Sequence, residues 1–557
     1  MIKIELECSA CGYREPYTHP LATCRQCGKQ WFEARYPYAE LRGSLPALLR
    51  ERPFNMWRYR ELLPLRNDVN LISMGEGGTP LVRMDNLALM LGRPNLFIKD
   101  ERQGPTGSFK DRQASLAVSV MKENGINEVV VASTGNVAIS YSAYCARAGI
   151  KLWAFMSSMV AAEKMHEVAL YGTEVVKVTG TYDQAKEVSF TFAEHKGLHL
   201  DQGIRSFATR ESMKTLAFEM CEQLGTLYGP EVPDSPIAMR APDWYFQAIS
   251  GGLGPVGVWK GLEELRTMGL IRKMPRFACI QVEGCAPIVN SLRAGLETPQ
   301  DVLMPQTNII VLATGKPGVA YTALRRVMLA SNGVAETVTD EESYRAMHAL
   351  AKMDGISVES ATGTTFAGLF KLISAQVIGP DDVVVVNCSG HTSPVTEDLL
   401  GKTWARSVAV SQATEAPVPI PQQEGLLAAL ERLDERVKSV AIIDDDPNAV
   451  RLLKRILQAR GHYILYEAYN GREGLEMVRR ERPDMVLMDL MMPDLDGFGM
   501  LQAMKADDAL KDIPVIVVSA KELTPNERKR LAGQAKLLQK GAFTDQDLLG
   551  DIQAALD

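Results

Sequence analysis

The chain has 557 residues, of which 46% are hydrophobic and 23% are charged, and it carries a formal net charge of -7. This length is too great for one hydrophobic core, so we expect several folded domains. The acidic balance argues against a nucleic-acid-binding surface, which needs clustered positive charge. Short apolar runs and an early charged segment predict a cytoplasmic protein with no signal peptide and no contact with a membrane.

Changes in composition divide the chain into four stretches. Residues 1–38 contain four of the nine cysteines. Residues 39–405 alternate apolar strand-like runs with helical patterns, which predicts a parallel sheet covered by helices. Residues 406–437 begin as a proline-containing linker and end in a short amphipathic helix. Residues 438–557 repeat the strand–helix alternation on a smaller scale, so we expect a further α/β domain there.

The cysteines of the first stretch form two Cys-x-x-Cys pairs that are separated by 12 residues. Each pair suits a tight turn, and four thiolates can surround one tetrahedral zinc ion. Since all four positions are cysteine, none stays open for a substrate, and the zinc would be structural. Two disulfides or unliganded thiols are the alternatives. The expected zinc ligands are Cys8, Cys11, Cys24 and Cys27.

Lys110 lies just after a turn-forming Gly-Pro-Thr-Gly sequence, at the start of a predicted helix. The positive end of the helix dipole disfavours the ammonium form of a lysine at this position. A neutral amine is the form that makes an imine with an aldehyde cofactor. Lysines are also common early in surface helices, so this position by itself is modest support for a cofactor site.

Three further segments place small or polar residues after predicted strands. Ser-Thr-Gly-Asn at 133–136 and Gly-Gly-Leu-Gly at 251–254 each lead into a helix, where free N–H groups suit a carboxylate or phosphate. Ser-Gly-His at 389–391 ends a strand at the edge where α/β proteins bind ligands. Neither glycine loop has the spacing of a nucleotide-binding fingerprint. Plain strand–helix turns are the alternative for each loop.

Taken together, these segments resemble threonine synthase and its near relatives among the fold-type II pyridoxal phosphate enzymes. The resemblance covers residues 1–400 and rests on the cysteine pairs, RPFNMWRYRELLPL, GEGGTPL, PTGSFKDR, ASTGN and the Ser-Gly-His end. It implies a zinc-ribbon-like module and a two-subdomain α/β core similar to that of tryptophan synthase β. It also implies pyridoxal 5'-phosphate as the cofactor and an amino acid as the substrate.

The resemblance implies a role for each matching residue that faces the cofactor. Lys110 would carry the cofactor and move protons, and Asn136 would hydrogen-bond the cofactor's 3' oxygen. Ser389 would face the pyridine nitrogen, where a hydroxyl does not force protonation of the ring. The cofactor phosphate would be held by the backbone of Gly251, Gly252, Leu253 and Gly254.

Ser133 and Thr134 would help to hold the substrate carboxylate, by the same resemblance. Threonine synthases usually hold the substrate phosphate with a Ser-x-Asn-Pro-Tyr-Arg-like stretch, but the corresponding residues here read GIRSFATRESMKTLAFE. Ser206 and Arg210 could partly substitute, although the Asn-Pro is absent and the register is one residue short. This departure weakens the prediction of a phosphorylated substrate more than the prediction of the cofactor.

The implied activity is that of a pyridoxal-phosphate-dependent lyase, a carbon–oxygen lyase acting on phosphates. A threonine synthase releases phosphate from O-phosphohomoserine and adds water to give threonine. Related enzymes use almost the same cofactor site for β-replacement or for ammonia-releasing elimination, and the scaffold does not select among them. A protein that only senses an amino acid or the cofactor is the alternative from a different class.

Strands of the last stretch end in acidic and hydroxyl residues, and parallel strands would bring these ends to one edge of a sheet. Clustered carboxylates repel one another unless a cation lies among them, and oxygen ligands suit Mg²⁺. The metal and a lysine would then neutralise a phosphoryl group on an aspartate. Solvated aspartates without a metal are the alternative. The residues concerned are Asp444, Asp445, Asp489, Ser519 and Lys540.

This stretch resembles a two-component receiver domain, which implies a flavodoxin-like (βα)5 fold. Asp489 matches the phospho-acceptor, Ser519 the hydroxyl switch and Lys540 the lysine of that family. The residues needed for phosphorylation are all present. Gly541 and Leu537 replace the usual proline and aromatic residue, so the resemblance does not indicate how phosphorylation is transmitted out of the domain. The resemblance implies a sensor histidine kinase or a small phosphodonor as partner. We also expect a homodimer, and dimerisation could be the receiver's sole role.

Overall fold

A computed structural model describes residues 3–18, 23–391, 406–409, 438–460, 463–519 and 536–539. The chain forms two compact units, Met1–Thr414 and Glu415–Asp557, which are described separately below. The predicted linker helix at 424–437 and the predicted receiver lysine, Lys540, lie outside the described residues.

The four-cysteine module forms a small antiparallel sheet with the strand order β2-β1-β3. Its buried residues Leu6, Phe32 and Ala34 belong to the same hydrophobic core as residues of the later helices. The module therefore packs onto the rest of the first unit and does not stand alone. The strands are β1 (Glu5–Cys8), β2 (Arg14–Pro16) and β3 (Phe32–Arg35).

A six-stranded sheet with the order β12-β11-β10-β13-β5-β4 forms the larger layer of the first unit. All neighbouring strands run parallel except β4, which pairs antiparallel with β5. The central strands are buried, as their runs of valine and aromatic residues predict for a sheet covered on both faces. The strands are β4 (Leu81–Arg83), β5 (Leu96–Asp100), β10 (Trp244–Ala248), β11 (Arg276–Val282), β12 (Val334–Val338) and β13 (Val384–Cys388).

A five-stranded parallel sheet with the order β14-β8-β7-β6-β9 forms the second layer. Its edge strand β14 comes from the first four residues of the predicted linker, so the sheet extends past the boundary expected at 405. The backbone groups along β8 are paired by this strand, which gives the segment a place in the fold despite its modest hydrophobicity. The strands are β6 (Glu128–Ser133), β7 (Lys151–Ser157), β8 (Glu174–Thr179), β9 (His199–Asp201) and β14 (Arg406–Ala409).

Helices α7 and α8 pack closely because Gly257 and Gly261 of α8 have no side chain to separate its backbone from α7. A Cβ added to Gly261 would lie 2.6 Å from the carbonyl oxygen of Lys214 and 2.9 Å from the Cβ of Ala217. The helices of the first unit are α1 (Tyr38–Glu51), α2 (Asp85–Leu91), α3 (Lys110–Glu123), α4 (Asn136–Ala148), α5 (Ala162–Leu170), α6 (Tyr182–Lys196), α7 (Phe207–Tyr228), α8 (Leu253–Thr267), α9 (Pro287–Arg293), α10 (Val319–Ala330), α11 (Asp340–Asp354) and α12 (Ser360–Ser374). Short 3-10 helices span Met56–Leu62, Asp68–Asn70, Glu101–Gln103, Gly203–Arg205, Glu283–Cys285 and Ile310–Leu312.

The second unit contains a five-stranded parallel sheet with the order β16-β15-β17-β18-β19. This order places the first strand of the unit second in the sheet, which is the flavodoxin-like arrangement expected from the sequence. Its strands are β15 (Lys438–Ile443), β16 (Tyr463–Ala468), β17 (Met485–Met488), β18 (Val515–Ser519) and β19 (Lys536–Gln539). Its described helices are α13 (Pro447–Arg460), α14 (Gly471–Glu481) and α15 (Gly497–Lys505).

The predicted α/β fold class is confirmed in both units. Among the helices that the structure describes, none combines the length and the apolar character needed to cross a bilayer.

Candidate active site

The loop that carries Lys110 is joined by backbone hydrogen bonds to the end of β13. The amide of Phe109 donates to the carbonyl of Ser389 at 3.0 Å, and the amide of His391 donates to the carbonyl of Gly107 at 2.9 Å. Helix α3 begins at Lys110 itself. Two segments that are far apart in the sequence are thereby fixed against each other at the carboxyl edge of the larger sheet.

The Lys110 amine is the candidate nucleophile. Burial lowers the pKa of this amine to about 8, and the nearby Glu359 carboxylate opposes that shift. The amine lies 4.1 Å from the ring centre of Phe109, and within the described residues no hydrogen bond to it is found. A desolvated lysine with a lowered pKa supplies the neutral amine that imine formation requires.

A cavity of about 110 Å³ brings together most of the residues expected to hold the cofactor. Lys110, Ser389 and the 251–254 loop all contribute to its wall, so segments far apart in sequence meet at one place. Asn136, Thr134 and Glu359 also contribute polar side chains to the wall, as do Gln247 and Ser250.

The glycine loop at 251–254 has a conformation that suits a phosphate. Gly252 has a φ of +76° and lies directly before the first residue of α8. A Cβ added to Gly254 would lie 2.3 Å from the side-chain amide of Gln247, and one added to Gly252 would lie 3.0 Å from Leu324. The first N–H groups of a helix have no partner within it, so they are available to an anion in this cavity. The loop therefore fits the phosphate of pyridoxal phosphate.

Glu359 joins two of the expected cofactor-binding side chains. One of its carboxylate oxygens accepts a hydrogen bond from the Ser389 hydroxyl at 2.9 Å, and the other accepts one from the Asn136 amide at 2.9 Å. The Lys164 ammonium donates to the Asn136 side chain at 2.9 Å and lies 3.8 Å from Glu359. Glu359 is only 4% exposed, so this network lies in a region of weak solvent screening.

The four expected zinc ligands lie close together. Their sulfur atoms all lie within 4.8 Å of one another, and all four are free thiols. Gly12 and Gly28 have φ values of +73° and +69°, which permits the tight turn after each pair. Four sulfurs in this arrangement fit a tetrahedral zinc ion.

In the second unit, Asp444, Asp445 and Asp489 form an acidic cluster. Their carboxylate oxygens lie within 4.8 Å of one another at the ends of β15 and β17. The Asp489 carboxylate accepts hydrogen bonds from the amides of Leu490 and Met491, at 2.6 and 3.3 Å. Three acidic oxygens at this separation fit a divalent cation such as Mg²⁺. Ser519 ends the neighbouring strand β18, while Lys540 lies outside the described residues.

Comparison with known proteins identifies the family of the first unit. Residues 72–390 match the family described as pyridoxal-phosphate dependent enzyme. The chain belongs to this family. A threonine synthase from Methanocaldococcus jannaschii is 35% identical over 387 residues, which are 69% of this chain and 91% of that protein. A threonine synthase from Methanosarcina acetivorans is 32% identical over 389 residues, with the same shares of the two chains.

Residues 440–552 match the response regulator receiver domain, so this pyridoxal-phosphate dependent enzyme carries a receiver as its second unit. Both resemblances expected from the sequence are thus confirmed. Similar solved structures include a fungal L-serine ammonia-lyase from Rhizomucor miehei. It has a TM-score of 0.49 and 18% identity, and the match covers 57% of this chain and 94% of that one.

Arg210 is an expected substrate residue that does not line the Lys110 cavity. Its guanidinium stacks on Trp31 at 3.9 Å and donates to the carbonyls of Phe32, Ile204 and Arg205. The reason is that α7 packs against β3 of the four-cysteine module and presents Arg210 to that strand. The spacing of residues in the sequence does not predict that the Arg210 side chain contacts β3.

Ser133 is buried, and its hydroxyl accepts hydrogen bonds from the amides of Gly135 and Ala138 at 3.0 and 2.9 Å. It therefore shapes the start of α4, while Thr134 contributes directly to the cavity wall. Lys164 and Glu359 were not found from the sequence. A glutamate directly before a helix is too common to single out Glu359, and nothing in the sequence near Lys164 marks it.

Proposed function

We propose that this enzyme is a threonine synthase that converts O-phosphohomoserine and water into threonine and phosphate. The observation that carries the proposal is the single cavity lined by Lys110, the 251–254 loop and Ser389. The two related threonine synthases also support the proposal, because this chain matches each of them over 91% of its length. Both support the expected lyase activity on a phosphorylated amino acid.

Pyridoxal phosphate, when bound, would withdraw electrons from the substrate's α-carbon and make its proton acidic. Lys110 would hold the cofactor and, once displaced by the substrate, take that proton on Nζ and deliver it along the side chain. The backbone N–H groups of the 251–254 loop would bind the cofactor phosphate. Ser389 would face the ring nitrogen of the cofactor with its hydroxyl oxygen.

Glu359 would hold Ser389 and Asn136 in position, since it accepts a hydrogen bond from each. Thr134 and the amides at the start of α4 would bind the substrate carboxylate. Lys164 would attract the substrate's anionic groups, because its ammonium lies directly over the loop that precedes α4. A Cβ added to Gly135 would lie only 2.8 Å from the Lys164 side chain.

An ammonia-releasing elimination on a hydroxy amino acid is the second candidate. The observation that favours it is the position of Arg210, which is engaged by Phe32 of the four-cysteine module. The described wall of the Lys110 cavity contains no arginine to receive a substrate phosphate. A hydroxy amino acid would not need such a group.

A substrate comparison on the full-length holoenzyme separates the two candidates. O-phosphohomoserine should release one phosphate per threonine formed, whereas L-homoserine, which lacks the phosphate, should not react. L-serine and L-threonine should release little ammonia and keto acid. Ammonia release from these two amino acids with no phosphate release from O-phosphohomoserine would select the elimination instead. Inactivity on every amino acid would leave the sensing role.

We further propose that the receiver regulates the enzyme through phosphorylation of Asp489. A histidine kinase or a small phosphodonor would supply the phosphoryl group, and Mg²⁺ held by Asp444, Asp445 and Asp489 would neutralise its charge. The acidic cluster at the ends of β15 and β17 supports this role. Ser519 and Lys540 would contact the phosphoryl group, as the family resemblance implies, and structural zinc would be held by the four-cysteine module.

A further inference from the structure

A second cavity in the first unit shares no lining residue with the Lys110 cavity. It has a volume of about 610 Å³ and lies between the four-cysteine module and helices α7, α8 and α10. The proposed reaction gives it no role. Its size is in the range of small-molecule sites in proteins.

The charged groups of this cavity favour an anion. Lys29, Arg205 and Arg326 line it, and within the described residues none of them has an ion pair. Arg210 is 6% exposed, and its hydrogen bonds go to backbone carbonyls and to no carboxylate. Burial lowers the pKa of Arg210 to about 10, and the nearby carboxylates of Glu211 and Glu33 oppose this shift.

The acidic groups of the wall do not cancel these cations. Glu211 pairs with Lys214 and Lys260, so its charge is already balanced. Glu33 lies 3.1 Å from Arg35 and likewise has a partner. Glu263 is the remaining acid, and it is outnumbered by Lys29, Arg205, Arg210 and Arg326 in the same wall. The cavity is therefore electropositive.

Large apolar side chains form the other part of the wall. Trp31, Trp259, Val256 and Val327 line the cavity, and Arg210 stacks on Trp31. Flat apolar surfaces next to guanidinium groups bind planar groups that carry a negative charge. We propose that this cavity binds a small anion with a planar apolar group, which acts as an effector of the enzyme.

Two contacts connect the cavity with the loop that would hold the cofactor phosphate. Val256 lines the cavity from the first turns of α8, the helix that begins directly after Gly252. Leu324 of α10 packs against Gly252, while Arg326 of the same helix lines the cavity. A ligand that shifts α8 or α10 would therefore change the geometry of the 251–254 loop. This coupling rests on the proposed cofactor role of that loop.

The test uses the full-length holoenzyme and 1-anilinonaphthalene-8-sulfonate, an aromatic sulfonate that fluoresces when it binds. We expect saturable binding of one dye per chain and at least tenfold weaker binding in Arg326→Glu. Arg326 is exposed, so this change should leave the fold intact. Arg266→Glu is the matched control, because Arg266 is exposed on α8 and does not line the cavity. No binding to the wild type, or equal binding to both variants, overturns the proposal.

The effector role has a separate readout. At saturating dye, the affinity of the apoenzyme for pyridoxal phosphate should change about fivefold or more, since coupling between sites is reciprocal. Arg326→Glu should remove this effect. Unchanged cofactor affinity would refute the effector role. Both measurements are of binding, so failure of the proposed reaction does not affect them.

Discussion

The Ser389 hydroxyl donates a 2.9 Å hydrogen bond to Glu359, whose second carboxylate oxygen accepts one from Asn136. One buried carboxylate thus holds side chains that come from two different layers of the fold. We expect Glu359→Gln to weaken cofactor binding by about tenfold, because hydrogen bonds to a charged group contribute roughly 1.5–3 kcal/mol. Titration of the apoenzyme with pyridoxal phosphate, followed by absorbance, measures the change.

The control is Glu341→Gln on α11, where the side chain is 79% exposed. It should bind the cofactor as the wild type does. If Glu359→Gln binds as tightly as Glu341→Gln, the carboxylate does not position the cofactor site.

Lys164→Met should raise KM for an anionic substrate by about tenfold while changing kcat less. Lys164 is bound to Asn136 and lies near the start of α4, so its charge acts on substrate binding more than on proton transfer. Lys352→Met, on an exposed part of α11, is the control. An equal fall in kcat and no change in KM would instead place Lys164 in the chemical step.

The rate of cofactor loading should follow the protonation state of Lys110. Its pKa is lowered from 10.5 to about 8, and imine formation requires the neutral amine. The rate constant should therefore rise about tenfold per pH unit below 8 and level off above it. Stopped-flow absorbance of the apoenzyme mixed with pyridoxal phosphate gives this profile. A rate that is still rising steeply at pH 10 would contradict the lowered pKa.

Two glycine substitutions should change stability in opposite directions. Gly261→Ala should lower the free energy of unfolding of the first unit by about 1–3 kcal/mol, because the new methyl group meets the backbone of α7. Gly43→Ala should raise it by about 0.5–1 kcal/mol, since Gly43 lies within α1 with nothing within 4 Å of an added Cβ. Scanning calorimetry can compare the two. An equal change in the free energy of unfolding in both variants would show that α7 and α8 tolerate a wider spacing.

Acetyl phosphate with Mg²⁺ should label the wild type and not Asp489→Asn. Asp489 belongs to the acidic cluster at the ends of β15 and β17, which would hold the metal beside the phosphoryl group. Asp508→Asn is the control, because the Asp508 side chain is 96% exposed and outside the cluster. It should be labelled as the wild type is. Labelling of Asp489→Asn at the wild-type level would exclude Asp489 as the acceptor.

Strand ends were the part of the site that the sequence predicted well. The 251–254 loop and Ser389 each follow a buried strand, and parallel strands of one sheet place such residues at a common edge. Lys110 was predicted from its turn and from its position at the start of a helix. Residues whose position depends on packing between layers were not predicted. Arg210 is directed to Trp31 by the contact of α7 with the four-cysteine module, and that contact has no local sequence signal.

Packing between elements also accounts for the remaining differences between the predicted and the observed structure. Residues 406–409 have the composition of a linker, and only the unpaired edge of β8 makes them a strand. Glu359 precedes α12 as many glutamates precede helices, so its bonds to Ser389 and Asn136 could be known only from coordinates. The expected homodimer and the predicted domain boundaries stay predictions.

Strand β14 also determines what a protease would release. It has four residues, lies at the edge of its sheet and pairs with β8 alone. So short a strand contributes little stability when it is no longer part of a continuous chain. After a single cut between residues 391 and 406, β14 would be held at the edge of its sheet by its pairing with β8. We therefore expect such a cut to release β14 from the sheet.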